Sequence, residues 1–333
     1  CNEAVKLAKR HKFAQLSGFV NGVLRNIARN IDSVQFDTLS IRYSMPQWIV
    51  DRFVAAYGEK KAEEIFKAFH NKSTISIRTN LTRCTPDELR AMLEAEGVTV
   101  TAVDELDYAF VISGFDYLNG LQSFRDGLFY VQDISSMLVA QTAAPKKGDY
   151  VIDVCAAPGG KSTHIAELLQ GSGHVLARDL TDNKVDMIEE NIERHGLNNM
   201  SAEVWDATVP DADSAGKADI LICDLPCSGL GVLGRKKDIR YKMTPESVDE
   251  LAALQRQILD TVHTYVKPNG VLVYSTCTID EAENEDNVRW FIEKHPEFEL
   301  DKSFAEGTGM KQILPGEHGS DGFFIARFIK SKL

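Results

Sequence analysis

Residues 150–161 read YVIDVCAAPGGK and join a short apolar strand to a glycine-rich turn. Further apolar runs follow at 174–177, 220–223, 271–275 and 323–328, and helical patterns separate most of them. This alternation predicts an α/β fold with a doubly wound, mostly parallel sheet. Because ligands of such sheets bind beyond the carboxyl ends of the strands, we expect the chemistry of this protein at those ends.

The composition is that of a folded protein. The chain has 333 residues, of which 44% are hydrophobic and 26% charged, so we expect about two domains with an appendage. Collagen, disordered tails and disulfide-stapled miniproteins are excluded. The sequence shows no signal peptide and no apolar run of about 18 residues. Its six cysteines suit a reducing compartment, and we expect a cytoplasmic location without a membrane partner.

The part of the chain before the strands of 150–328 has two other patterns. A helical spacing of apolar residues from Leu16 to Ile27 predicts an amphipathic helix. Strands at 75–78 and 98–103 flank a helix that opens with a capping box at Thr85–Glu88, and more strand follows near Phe110. We therefore predict three parts, listed here by their bounds: a helical segment at 1–40, a small α+β domain at 41–127 and a catalytic domain at 128–333.

Three kinds of ligand compete for the glycine-rich turn. A nucleoside triphosphate loop ends in Gly-Lys-Ser, as at 160–162, but its first glycine would stand at Cys155. A dinucleotide fingerprint needs more glycines than Gly159 and Gly160 provide. The turn suits a nucleoside without a diphosphate, such as S-adenosylmethionine. Asp179 lies 19 residues after Gly160 and is placed to bind ribose hydroxyls, and Asp206 could reach the adenine edge.

Two cysteines each follow the end of a predicted strand. Cys227 lies in DLPCSG at 224–229, and Cys277 lies in STCT at 275–278. If the two strands are neighbours in the sheet, both thiols face one cleft, where a thiolate would be a strong nucleophile. Cys223 and Cys155 are expected in the core. No cysteine or histidine spacing typical of zinc appears, so we predict no metal.

The net charge of −12 by itself argues against a nucleic-acid partner. The charge is unevenly distributed, however, since residues 1–35 carry six basic and two acidic side chains. Segment 235–242 carries five basic side chains against Asp238 alone. Because a phosphate responds most to charges within about 10 Å, such patches can still bind RNA.

The motifs together resemble the Nol/Nop/Sun family of RNA cytosine-5 methyltransferases. DVCAAPGGK at 153–161, DLPCSG at 224–229, STCT at 275–278 and DGFFIARF at 321–328 carry the resemblance, which covers nearly the whole chain. Within the family the chain is most similar to the bacterial RsmB (Sun) type, since NGVLR at 21–25 resembles the last helix of a NusB-like domain. That domain would be incomplete here, because residues 1–35 supply only its last helix or two.

The resemblance implies a seven-stranded, Rossmann-like methyltransferase domain, S-adenosylmethionine as cofactor and cytosine 967 of 16S ribosomal RNA as target. Cys277 would attack carbon 6 of cytosine, while Cys227 assists proton removal or product release. Asp224 would contact the base, and Lys161 would position these groups. The cofactor would be bound by Cys155, Ala156, Ala157, Pro158, Gly159, Gly160, Lys161, Asp179, Asp206 and Asp224.

The RNA backbone would contact the basic segment and the small domain. The side chains predicted for this role are Arg78, Asn80, Arg235, Lys236, Lys237 and Arg240. Transfer RNA and 23S ribosomal RNA remain alternative targets, and we expect a monomer. The sequence also leaves open a P-loop-like ATPase, a nicotinamide dehydrogenase without its fingerprint, and a non-catalytic RNA-binding protein, which would give Cys227 and Cys277 no purpose.

Overall fold

A computed structural model describes residues 1–71 and 74–332. The chain divides into two compact units, Cys1–Val50 and Asp51–Leu333. Within the described residues, no helix combines the length and the apolar character needed to cross a bilayer. The boundary between the units falls after Val50, inside the helix Gln47–Tyr57. It lies ten residues after residue 40, where the helical segment is predicted to end.

The first unit is helical, as predicted. Its helices are α1 (Asn2–Arg10), α2 (Ser17–Asn30), α3 (Leu39–Tyr43) and the start of α4 (Gln47–Tyr57). Helix α2 is the amphipathic helix of the sequence analysis. Phe19, Val23 and Ile27 lie on its apolar stripe and are exposed.

A small sheet begins the second unit. Its elements are α5 (Glu59–His70), β1 (Ile75–Thr79), α6 (Pro86–Ala95), β2 (Thr99–Val103), β3 (Leu106–Ser113), α7 (Gln122–Arg125) and β4 (Phe129–Val131). The strand order is β2-β3-β1-β4, and every neighbouring pair is antiparallel. The predicted capping box of α6 is present, with Glu88 N donating to Thr85 Oγ1. Since β4 pairs with β1, this sheet extends past residue 127, the end predicted for the small domain.

The larger sheet has eight strands. Its elements are α8 (Ile134–Ala143), β5 (Tyr150–Asp153), α9 (Gly160–Leu168), β6 (His174–Asp179), α10 (Asp182–His195), β7 (Met200–Val204), β8 (Ala218–Asp224), α11 (Ile239–Lys242), α12 (Pro245–Val262), β9 (Val266–Thr276), α13 (Glu285–Lys294), β10 (Phe298–Leu300), β11 (Met310–Ile313) and β12 (Phe323–Lys330). Seven strands follow the order β10-β12-β9-β8-β5-β6-β7, and β11 pairs with β12 outside this path. Strands β5 to β9 are parallel, and β12 runs antiparallel to β9. The predicted doubly wound, mostly parallel sheet is confirmed.

Helices cover both faces of this sheet. Successive residues of a strand point to opposite faces, and Ile152 packs with α12 and α13 whereas Val151 packs with α8, α9 and α10. The strand order reverses at β5, whose neighbours are β6 and β8. A crevice opens outside the carboxyl ends of strands at such a reversal. The glycine-rich turn leaves β5 there, and Gly159 has a φ of +102°, a conformation that favours glycine.

Two residues predicted to contact RNA lie in the interior instead. Arg78 on β1 is fully buried, where Nη1 donates to Glu167 on α9 at 2.7 Å and Nη2 donates to Thr163 at 3.1 Å. Asn80 is also buried and donates to the carbonyl oxygens of Gly127 and His195. The prediction for both residues was wrong, because these polar groups join the small sheet to the helices of the larger one and do not reach solvent.

We expect Arg78→Met to lower the free energy of unfolding by about 3–5 kcal/mol, because it leaves the Glu167 carboxylate buried without its partner. Chemical denaturation of the variant measures this loss. Replacing both partners, in Arg78→Met with Glu167→Met, should cost less than the sum of the single changes. Lys242→Met, which removes an exposed ion pair with Asp238, is the control and should cause no measurable change. Additive losses in the double variant would contradict this account.

Candidate active site

The site is built around two thiols at the ends of neighbouring strands. Strand β8 pairs with β9 in a parallel register that sets Asp224 beside Ser275. The chain after each strand then brings Cys227 Sγ within 3.2 Å of Cys277 Sγ. Both cysteines are free thiols. The predicted meeting of the two side chains in one cleft is therefore present in the structure.

The hydrogen bond between the two sulfur atoms separates their acidities. Accepting the S–H of Cys227 lowers the pKa of Cys277 below the ordinary thiol value, although burial opposes this shift. The same bond and burial raise the pKa of Cys227 well above that value. Of the two, Cys277 is thus the better thiolate and Cys227 the proton donor. The resemblance implies the same order of roles, which stays a prediction.

Lys161 and Asp224 form an ion pair beside these thiols. Lys161 Nζ lies 2.8 Å from Asp224 Oδ2 and 5.3 Å from the centre of the Phe323 ring. Burial opposes the charge of Lys161, but the carboxylates of Asp224 and Asp153 outweigh it and raise the pKa of the lysine. Asp224 also accepts a hydrogen bond from Ser275 Oγ at 2.8 Å. The pair is fixed on both sides and presents one carboxylate and one ammonium group to the cleft.

Asp179 organises the turn that is predicted to bind the cofactor. One of its carboxylate oxygens accepts the backbone N–H of Ala157 at 2.9 Å. The other accepts Leu180 N at 2.7 Å and faces Lys184 Nζ at 2.8 Å. Asp206 lies after β7 and accepts from the backbone and hydroxyl of Thr208. Both acids stand at strand ends in the same cavity, a donor and acceptor set suited to ribose hydroxyls and an adenine edge.

Asp153, the last residue of β5, lies under the turn. Its buried carboxylate accepts from Ser162 Oγ at 2.5 Å, and burial raises its pKa to about 7. Ser162 is in the first turn of α9, so this bond ties the end of β5 to the start of the helix. Ser162, 9 residues further on, directly follows the quoted motif, but burial of the carboxyl group was not apparent from sequence.

Two cavities meet at the thiols. One, of about 360 Å³, is lined by Asp179, Asp206 and Cys227; the other, of about 420 Å³, is lined by Lys161 and Phe323. Both sizes fall in the usual range for small-molecule sites. The walls shared by the two cavities are formed by Cys155, Ala157, Asp224, Lys236 and Cys277. A ligand in each cavity would therefore face the other across Cys277 and Asp224. A further cavity of about 650 Å³, beside Leu81 and Gly171, contains none of these groups.

The basic segment 235–242 divides into buried and exposed side chains. Arg240 is buried and donates to the Leu233 carbonyl oxygen at 3.2 Å, so the prediction that it contacts RNA was wrong. Arg235 is paired with Asp133 at 2.9 Å and with Asp321 at 2.6 Å. Lys236 and Lys237 are exposed, and Lys236 lines both cavities. These two lysines stay candidates for RNA contacts.

One cluster outside the cleft combines possible metal ligands, although the sequence predicts no such group. Asp260, His263 and His295 have donor atoms within 4.8 Å of one another. Lys294 Nζ already lies 2.9 Å from Asp260, and the two imidazole rings pack together with centroids 3.9 Å apart. This arrangement accounts for the cluster as an ion pair and a ring contact within the protein.

We expect Lys161→Met to make Cys277 react only at higher pH. Removing the ammonium group takes away a charge that lowers the pKa of the Cys277 thiol and leaves Asp224 to raise it. Alkylation by iodoacetamide over a pH series, followed by mass spectrometry of the Cys277 peptide, measures the midpoint. The exposed Lys146→Met serves as control. An unchanged midpoint in Lys161→Met would show that this lysine does not act on the thiol.

Asp179→Ala should weaken binding of S-adenosylmethionine by roughly tenfold or more, because it removes both the acceptor of the Ala157 N–H and a charged partner for ligand hydroxyls. Isothermal titration calorimetry measures the dissociation constant. Asp182→Ala removes an exposed acid in the next turn of chain and should leave the affinity unchanged. Equal affinities in the two variants would remove Asp179 from the cofactor site.

Comparison with known proteins identifies the family. A family model described as "16S rRNA methyltransferase RsmB/F" matches residues 140–329, a ferredoxin-like domain of RsmF/B-like methyltransferases matches 45–115, and the NusB family matches 1–29.

Named relatives agree with these matches. "Probable ribosomal RNA small subunit methyltransferase B" of Bacillus subtilis is 38% identical over 99% of this chain and 77% of its own length. "Ribosomal RNA small subunit methyltransferase B" of Salmonella paratyphi A is 33% identical over 98% and 76%. A methyltransferase homologue from Pyrococcus horikoshii superposes with a TM-score of 0.74 at 26% identity, over 87% of this chain and 97% of its own. The chain belongs to the RsmB/F family of 16S rRNA methyltransferases, and its cofactor is S-adenosylmethionine.

Proposed function

We propose that this protein methylates carbon 5 of a cytosine in 16S ribosomal RNA, at position 967, through a covalent bond between Cys277 and carbon 6. The observation that carries the proposal is the contact of Cys227 with Cys277 at the wall shared by two cavities. The names of the relatives support ribosomal RNA of the small subunit as the substrate.

The two cavities suggest how the substrates divide. Asp179 and Asp206 assign the cavity beside Cys227 to the nucleoside part of the cofactor. The cavity of Lys161 and Phe323 is then left for the target base, which must leave its stack to enter. S-Adenosylmethionine supplies the methyl group as an electrophilic methylsulfonium.

The reaction begins at Cys277, because carbon 5 of cytosine is a poor nucleophile. Addition of the Cys277 thiolate to carbon 6 moves an electron pair towards carbon 5, which can then form a bond to the methyl group. Asp224 would accept a hydrogen bond from the amino group of the base and orient it, and the ammonium group of Lys161 would stabilise the negative charge that develops on the ring. Their ion pair is preorganised for this role, since its partners are 2.8 Å apart before any base is present.

Product release requires loss of the carbon 5 proton and of the Cys277 thiol. Once Cys277 is bonded to carbon, it no longer accepts the S–H of Cys227. Cys227 is then the nearest sulfur to the adduct, and we assign to it assistance in expelling Cys277, by donating a hydrogen bond from its S–H to the departing sulfur while the carbon 5 proton passes to water. Elimination restores the double bond between carbons 5 and 6 and regenerates the Cys277 thiolate.

The RNA itself would be bound by the exposed side of segment 235–242. Within the described part of the chain, Lys236 and Lys237 have no carboxylate within ion-pair distance, so their charges are available for phosphates. A ribosomal RNA substrate would place the protein in the cytoplasm, and a monomer remains our expectation.

Transfer of tritiated methyl groups from S-adenosylmethionine to unmodified 16S RNA tests the reaction, and mapping of the modified base tests the target. Cys277→Ser should abolish transfer and keep cofactor binding, because a hydroxyl is a far weaker nucleophile at neutral pH. Cys227→Ser should form the adduct but release it slowly, so an RNA–protein complex should survive on a denaturing gel.

Cys1→Ser changes an exposed cysteine of the first unit and is the control. Methylation of transfer RNA or 23S RNA alone would keep the chemistry and overturn the target. Transfer by Cys277→Ser at the rate of the unchanged protein would overturn the covalent mechanism.

A further inference from the structure

A buried carboxylate that no part of the proposed mechanism uses lies behind the loop of Cys227. Glu283 is fully buried in the turn between β9 and α13. One of its oxygens accepts the Ser228 backbone N–H at 2.9 Å, and the other accepts the Ser228 hydroxyl. Glu283 is thus bonded twice to the residue that directly follows Cys227.

Gln255 on α12 bonds to Pro226, the residue that directly precedes Cys227. Its Nε2 donates to the Pro226 carbonyl oxygen at 2.8 Å and to Glu283 at 2.9 Å. Its Oε1 accepts from Asn287 at 2.7 Å and from the Tyr274 hydroxyl at 3.0 Å, which fixes the orientation of the amide. The backbone is therefore fixed immediately before and immediately after Cys227.

The same network reaches the segment after β9 that carries Cys277. Ser228 Oγ lies 3.0 Å from Thr278 Oγ1, and Thr278 directly follows Cys277. Gly231 N donates to the Cys277 carbonyl oxygen at 3.1 Å. The position of one sulfur relative to the other is set by contacts that involve buried groups, because Ser228, Gln255, Thr278 and Glu283 are all buried.

We propose that Glu283, oriented by Gln255, is a positioning residue that makes Cys227 donate its thiol proton to Cys277. The carboxylate places the loop, and its negative charge lies on the Cys227 side of the pair. A charge there disfavours a Cys227 thiolate and leaves the thiolate to Cys277. The other charged groups that act on Cys277 are Asp224, Lys161 and Lys236, and none of them bonds to the backbone of the Cys227 loop.

The Glu283 carboxylate is buried, and the hydrogen bonds that it accepts come from neutral donors. Burial raises its pKa, and the bonds from Ser228 and Gln255 act in the opposite direction. Replacement by glutamine would set an amide NH₂ where Ser228 N–H, Ser228 O–H and Gln255 NH₂ all require an acceptor. At least one of these donors must then lose its partner, and the loop must shift.

The test measures alkylation of each cysteine by iodoacetamide over a pH series, using the full chain and no RNA. In the unchanged protein, Cys277 should react faster than Cys227 at pH 7. In Glu283→Gln the rate at Cys277 should fall by roughly tenfold at pH 7 and its midpoint should move to higher pH, as expected when one hydrogen bond to a charged group is lost. Methyl transfer should fall in parallel while affinity for S-adenosylmethionine is kept, and the lost hydrogen bond should lower the unfolding temperature by only a few degrees.

Glu281→Gln, two residues away and exposed, is the matched control and should leave both cysteines unchanged. An unaltered pH midpoint in Glu283→Gln would overturn the proposal, and so would a joint loss of cofactor affinity and thiol reactivity, which indicates a general structural role. If Glu283→Gln does not fold, Ser228→Ala removes one donor to the carboxylate and should give a smaller shift in the same direction; no shift would overturn the proposal.

This proposal rests on the proposed function, which gives the thiol pair its role. Experiment can nevertheless contradict one of the two without contradicting the other. Equal reactivity of Cys227 and Cys277 in the unchanged protein would remove the basis of both. A preference for Cys277 that depends on Glu283, without methylation of any RNA, would support the positioning role and count against the proposed function alone.

Discussion

The parallel pairing of β8 with β9 is the constraint on which the active site depends. Hydrogen bonds between the two strands fix Asp224 beside Ser275. Cys227 lies three residues after Asp224 and Cys277 two residues after Ser275, so the backbone has little length in which to turn towards the cleft. A slip of the register by one residue would turn the strand residues to the opposite face. The 3.2 Å contact between the sulfur atoms of Cys227 and Cys277 therefore follows from the sheet as well as from the loops.

Charge is balanced locally in the interior of a protein that is acidic as a whole. Arg78 with Glu167 is a buried pair and Lys161 with Asp224 a partly buried one, and each connects different elements. Such pairs contribute little net stability, because desolvation offsets much of their attraction. Their consequence is geometric: Arg78 and Glu167 fix the small sheet on α9, and the first turn of α9 carries Lys161. The small sheet and Lys161 are thus attached to the same helix.

The sequence contains enough to predict the strand ends and which side chains meet there. Apolar runs bounded by Asp153, Asp179 and Asp224 mark the carboxyl edge of the sheet, and parallel strands bring such ends together whatever the distance in sequence. The predicted RNA contacts of Arg78, Asn80 and Arg240 were wrong because these side chains are buried. An arginine that alternates with apolar residues in a strand looks exposed in sequence, but Arg78 is paired with Glu167, 89 residues away. Arg240 is likewise buried, although it belongs to a segment in which most side chains are basic.

Burial also made the place of Glu283 impossible to predict from its neighbours in sequence. In sequence it lies among Asp280, Glu281 and Glu285, a run of acids typical of a solvated surface turn. In the structure Glu281 is exposed whereas Glu283 is buried under the loop of Cys227, because Ser228 and Gln255 supply donors from two other elements. A carboxylate enters the interior only where such donors already exist, since an unpartnered buried charge is far too costly. The identity of the buried acid is therefore a property of the assembled loops, and the same loops set the spacing of the two thiols.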